Sequence, residues 1–260
     1  MGHTARTVSP VSITALRPQP ARTPHVRLVV DPQGDELEAA RACEADVFQE
    51  RFDDGRAVLD EWFASHEDRS VFVALLDPAG RAVAAARCIV PGPAGLKVDE
   101  SLRDDWQVDP AASADAVGLD RDTTWEVATI SVRRRAEGVG AVWTAALLHG
   151  LLELTRVNRA TAVVAVLDEG ARTLLGRAGV TFQAFPGCEP RPYCGSPSST
   201  PVYTDLDAMR RRQRLTQPES YRLVTLGSGL HGVELPDAAA FRLQQTVLDL
   251  RPAPSRLRAG

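Results

Sequence analysis

The sequence predicts an α+β fold, a mixed central sheet flanked by helices, and two patterns carry that reading. The apolar runs Ser70–Leu76 and 81–90 are separated by Asp77-Pro-Ala-Gly80. Asp, Pro and Gly in that order favour a tight turn, so the runs form an antiparallel hairpin. Further along, a strand pattern over Thr124–Val132, an apolar-faced helix over Val139–Val157 and a strand buried on both faces over 160–167 form a parallel strand–helix–strand unit. A meander followed by such a unit makes a mixed sheet.

The other elements follow in chain order. Residues 25–30 read as a short strand. Turn chemistry at 31–35 leads into a helix over 36–52, where Leu37, Ala40, Cys43, Val47 and Phe48 keep a 3.6-residue period. A short helix is expected at 58–66. Residues 91–122 hold three prolines and no clear period, which reads as a long functional loop. The helix at 139–157 is the best defined, with Val139, Val142, Trp143, Ala146, Leu147, Leu151 and Leu154 on one face. A helix over 169–177 stops before Gly179, and a strand follows near 202–206. An Arg-rich helix (Arg210, Arg211, Arg212, Arg214), a strand at 221–226 and a helix at 236–250 complete the chain.

At 260 residues and 44% hydrophobic, the chain holds one substantial core and not two enzyme-sized domains. The expected organisation is a disordered leader over 1–24, a domain over 25–210, and an extension over 211–260 packed on that domain. The net charge of -4 argues against a general nucleic-acid binder. Cys43, Cys88, Cys188 and Cys194 show no C-x-x-C pair or zinc-type spacing. Reduced thiols in a cytoplasmic protein without metal fit best. No apolar run reaches membrane-spanning length. Lys97 is the only lysine.

Two features could carry chemistry. Between the strand ending at Val132 and the long helix, Arg135, Gly138 and Gly140 spell R-x-x-G-x-G. Glycines let the main chain approach an anion, and the N–H groups of a helix start favour a diphosphate. The loop lacks the Rossmann and Walker fingerprints. The second feature is Glu126, which regular alternation places with Ala128, Ile130 and Val132 on one face of its strand. A desolvated carboxyl there could accept a proton from an attacking amine; equally, it could be a structural partner of an arginine such as Arg87. His149 reads as structural, and Cys88, Cys188 and Cys194 as small buried residues. The arginines at 210–214 read as a solvated helix face or, with Arg133 to Arg135, as a lure for an acidic carrier protein.

Taken together, the strand, the R-x-x-G-x-G loop, the apolar helix, the buried strand and the short helix ending in Arg-Ala-Gly179 resemble the cofactor-binding half of GNAT acyltransferases. Several stretches are similar to acyl-homoserine lactone synthases and long-chain N-acyl amino acid synthases: Val47-Phe48-Gln-Glu-Arg51, Ala86-Arg-Cys-Ile-Val90, Trp125-Glu126, Leu174-Leu-Gly-Arg-Ala-Gly179 and Tyr193-Cys-Gly195. The resemblance implies a GNAT-type fold and an N-acyltransferase in which an amine, such as an amino acid, attacks the thioester of acyl-CoA or an acyl-carrier protein. It implies Glu126 as proton acceptor. It places the pantetheine along Ile130, Ser131 and Val132, and the diphosphate on Arg134, Arg135, Gly138, Val139 and Gly140. The alternatives are an acetyltransferase acting on a small amine or a protein N-terminus, and a non-catalytic thioester-binding module.

Three departures refine this. Leu175 stands where many GNAT acetyltransferases have a tyrosine that protonates the leaving thiolate. Lactone synthases follow Trp-Glu with a residue and then Ser-Arg, where this chain has Ala128 and Thr129, and they carry an arginine at the position of Glu44. Those changes argue against a lactone synthase. The loop 132–135 is also about two residues shorter than in typical acetyltransferases.

Overall fold

A computed structural model of the chain describes residues 25–133 and 139–244. The leader 1–24, most of the R-x-x-G-x-G loop (134–138, including Arg134, Arg135 and Gly138) and residues 245–260 lie outside the described residues.

The strands are β1 (Val26–Val30), β2 (Ser70–Leu76), β3 (Ala82–Ile89), β4 (Thr124–Val132), β5 (Ala162–Asp168), β6 (Gln183–Ala184), β7 (Arg191–Tyr193), β8 (Ser196–Asp205) and β9 (Val233–Glu234). They form one sheet in the order β6-β8-β5-β4-β3-β2-β1-β9, with β7 paired to β8. The expected hairpin is β2–β3, and β4–β5 is the expected parallel pair. The sheet is therefore mixed, as predicted.

The helices are α1 (Asp35–Phe52), α2 (Arg56–Phe63), α3 (Lys97–Asp104), α4 (Pro110–Ala116), α5 (Val139–Val157), α6 (Glu169–Arg177) and α7 (Leu206–Thr216). Helix α5 buries Trp143, Ala146, Leu147 and Leu154 completely against one sheet face. Each of the two leucines contributes about 1.5–3 kcal/mol relative to exposure. The approach is close because position 150 is glycine: a Cβ there would sit 2.7 Å from Val73 Cγ1. Helix α1 covers the opposite face with Ala40, Cys43 and Ala45.

Three expectations need correction. Residues 91–122 are not an unstructured loop, since α3 and α4 lie within them. Both are about two turns long, too short for a sequence period to show; α4 is set by Pro110 and by the Asp109 side chain accepting the Ala112 N–H at 2.7 Å. The strand expected at 221–226 is a π-helical turn, Tyr221–Thr225. Its apolar residue Val224 packs into the α5 core rather than onto a sheet edge. Of the helix expected at 236–250, the described part holds only a 3₁₀ turn, Ala238–Phe241, and the remainder from 245 lies outside the described residues. This extension is tied to α5: Asn158 donates to the Phe241 carbonyl at 2.7 Å and accepts the Leu243 N–H at 3.1 Å.

Candidate active site

Strand β4 carries the site because it is irregular. Cys88 of β3 faces Val127 while Arg87 faces Thr129, so Ala128 is an extra, unopposed residue. Such a bulge bends the strand and reverses its alternation. Before it, Val127 packs into the core on the α5 side and Glu126 lies toward α1 and α3; after it, Ile130 packs on the α5 side while Thr129 bonds to Glu44 of α1. The expectation that Glu126 shares a face with Ile130 and Val132 is therefore wrong by one residue. An extra residue in a ladder leaves no mark on composition.

The bend also parts β4 from β5. Their ladder covers only Thr124–Glu126 against Ala162–Val164, although β4 runs on to Val132 and β5 to Asp168. The gap opens immediately beyond Glu126, and β5 beyond that point pairs with β8. The β5-facing main-chain groups of Val127 to Val132 consequently have no ladder partner on β5. This leaves them available to the amides of an extended ligand.

Two openings meet along the gap. One, about 130 Å³, is floored by Glu126, Ala128 and Thr129 and walled by Phe48, Phe52, Trp62 and Tyr193. The other, about 510 Å³, follows Ile130 and Val132 to Thr144 of α5 and to the start of α6 at Glu169 and Gly170. They share Val47, Arg51, Ile130 and Ala171. Behind the gap on the α5 side lies an apolar cavity of about 30 Å³ lined by Val127, Ile130, Leu148, Ala165 and Leu175.

Glu126 is 3% exposed, and its Oε2 accepts the Val98 N–H at 2.9 Å. Burial pushes its pKa up to about 8, against the lowering effect of that N–H bond. A carboxyl with this value is about one-tenth ionised at pH 7 and suits proton transfer near neutrality. The structural reading of Glu126 as a partner of Arg87 does not hold. Arg87 is fully buried and bonds to Glu44 through Nε at 3.1 Å and Nη2 at 2.8 Å, with Glu67 at 3.1 Å. Thr129 donates its hydroxyl to the same Glu44. Two of the three positions that depart from the lactone synthases, Glu44 and Thr129, thus belong to one cluster.

The first turn of α3, which presents Val98 to Glu126, is fixed by a chain of polar contacts. Lys97 pairs with Glu100 at 2.9 Å, and Glu100 accepts from His66 Nε2 at 3.1 Å. Arg69 donates to His66 Nδ1 at 2.6 Å and to the Gly95 carbonyl at 2.8 Å. An arginine can only donate, so His66 is the neutral Nε2–H form. Burial lowers its pKa in the same sense.

Of the other expected residues, Ile130 and Val132 border the larger opening. Ser131 shares the Thr129 side by alternation and is fully buried, so only its main chain faces the gap. Gly140 opens α5 one turn before Thr144; Val139 begins the helix, and its side chain lies outside the described residues. Leu175 is 3% exposed at the gap and supplies no proton donor. Cys194 lines the cleft and Cys88 lies beneath it, but burial raises their thiols to about 11 and about 12, which keeps them protonated. His149 bonds to the Val224 carbonyl at 3.2 Å, away from the gap. Arg133 is engaged by Asp46 at 2.6 Å, and among the described residues Arg211, Arg212 and Arg214 have no ion pair.

Sequence reasoning missed Lys97, Trp62, Phe52 and Tyr193 as cleft residues. Lys97 carried a signal in being the sole lysine. Tyr193 precedes a turn at Cys194 and Gly195 that rests on the end of α1, and that contact is not readable from sequence.

No protein-family model and no curated protein matches the chain. Solved structures do. A CoA-dependent acyl-homoserine lactone synthase, BjaI, solved with SAM and isopentyl-CoA, aligns with TM-score 0.55 at 16% identity over 87% of this chain and 98% of its own. FeeM, an N-acyl amino acid synthase from uncultured soil microbes, aligns with TM-score 0.55 at 15% identity over 75% and 98%. The acyl-homoserine lactone synthase LasI aligns with TM-score 0.52 at 16% identity over 78% and 94%. With the splayed β4–β5 pair and the α5 packing, these likenesses give the chain the GNAT-type acyltransferase fold shared by the lactone and N-acyl amino acid synthases.

Proposed function

We propose that the protein is an N-acyltransferase that moves an acyl group from a thioester to an amine. The observation that carries this is the gap between β4 and β5 opening directly beside Glu126, a buried carboxyl with a pKa near 8. The donor's pantetheine lies along Ile130 to Val132, its diphosphate at the start of α5. The amine attacks the thioester carbonyl; the C–N bond forms, the C–S bond breaks, and Glu126 takes the proton from the amine nitrogen. Main-chain groups of β4 polarise the carbonyl.

The donor carries a chain longer than acetyl. The side chain of Leu175 supports this, since it offers apolar contact at the gap and no acid for the thiolate. The coupled Glu44–Thr129 change supports an acceptor other than that of the lactone synthases, with amino acids among the candidates. Incubating the pure protein with acyl-CoAs and acyl-carrier proteins of increasing chain length and a panel of amines, with thiol release as readout, tests the proposal. Thiol release that depends on both substrates is expected; none with any pair would overturn it.

A further inference from the structure

A cavity of about 360 Å³ lies on the same sheet face as Glu126, one step back along the strands. Thr124 and Val164 form its floor, and Val164 is the register partner of Glu126. Leu96, Leu102, Leu119 and Phe185 form the apolar part of its wall, while Asp99, Arg121 and Asp122 line the rest, with Arg121 bonded to Asp99 at 2.8 Å. That size and lining, apolar with a few polar groups, is typical of a small-molecule site. Only the start of α3 separates it from the Glu126 cleft. Lys97 lines the cleft, Val98 lines the cavity, and the Val98 N–H bond to Glu126 spans the divide.

Resting on the acyl-transfer reading, we propose that this cavity is the side-group pocket of the acceptor and that the acceptor is an amine bearing an apolar side group. The donor chain does not compete for it, because the cavity behind the gap lies on the opposite, α5 side of the sheet. Cleft and cavity meet across the first residues of α3, where Lys97 faces one and Val98 the other. The amine then rests at the carboxylate with its apolar group beyond Val98. On the cleft side, Arg51 and Lys97 supply positive charge for any carboxylate the acceptor carries.

The test compares methylamine with hexylamine, and glycine with phenylalanine, as acceptors for the wild type and two variants. Ala114→Trp, on α4, fills the cavity; Leu119→Ala enlarges it. The expected result is that the kcat/KM ratio of the large to the small acceptor falls about tenfold in Ala114→Trp and rises in Leu119→Ala, with donor-length preference unmoved. Ratios that stay put in the folded variants, or that shift with donor chain length instead, would overturn the assignment. Calorimetry of hexylamine and phenylalanine binding without donor separates the two readings. Binding weakened by Ala114→Trp supports the pocket even if no thiol is ever released, whereas thiol release with binding insensitive to both variants overturns the pocket alone.

Discussion

Glu126 Oε2 accepts the Val98 main-chain N–H at 2.9 Å, so the first turn of α3 holds a buried carboxyl that faces the β4–β5 gap. The main-chain N–H groups of Val98 and Lys97 both act on this carboxyl, and its remaining lone pairs can take a substrate proton. The contact thus positions the carboxyl, while burial raises its pKa.

The raised pKa has a stability consequence. A carboxyl whose folded-state pKa lies near 8, above the unfolded value of 4.5, favours the fold fully below 4.5 and loses that contribution as pH rises through 8. Glu126→Gln should therefore gain stability relative to the wild type on moving from pH 6 to pH 9. Melting temperatures of both proteins across that range check the sign; a difference that does not change with pH would contradict it.

Arg87 and Glu44 form a pair with side chains 1% and 2% exposed, and Thr129 beside the bulge bonds to Glu44. Arg87→Met strands the buried Glu44 carboxylate and should cost about 3–5 kcal/mol in denaturant unfolding, while Glu44→Gln should cost less because Arg87 keeps Glu67 at 3.1 Å. The double variant Glu44→Met/Arg87→Met should be more stable than Arg87→Met alone, because no buried charge is left unpaired.

Ala165 lines the apolar cavity behind the gap. Ala165→Phe adds more volume than this cavity holds and should narrow the gap in front of it, at an overpacking cost of about 1–3 kcal/mol. The ratio of octanoyl-CoA to acetyl-CoA turnover should then drop, measured as thiol release at fixed amine.

Gly195 adopts φ +69°, and a Cβ there would sit 2.4 Å from the Phe52 carbonyl oxygen at the end of α1. Gly195→Ala should push the Tyr193–Cys194 turn off the cleft wall and lower Tm, while a loss of acceptor affinity larger than the loss of donor affinity is expected from titrations of each.

The sequence made the sheet legible wherever apolar runs were long: β2, β3, β4, β5 and α5 are all where periodicity puts them. It also marked Glu126, because a carboxylate within an apolar strand stands out. What it could not show was set by tertiary contact. The Ala128 bulge is a matter of pairing between strands, and it decides which side chains share a face with Glu126. Arg87 was readable as a neighbour of β4, yet its partner Glu44 lies 43 residues away on α1, where an acidic residue in a helix looks solvent-facing. The short helices α3 and α4 are held by caps and by packing, α3 on β4 and α4 on α3, and their residues alone show no period.

The pH dependence of thiol release from a long-chain acyl-CoA in the presence of amine tests the central claim most directly. The expected kcat/KM rises with pH and levels off near 8 in the wild type, while Glu126→Gln binds the thioester normally, turns over about 10²–10⁴-fold more slowly and lacks that rise. Wild-type activity retained in Glu126→Gln with the same pH profile would contradict it.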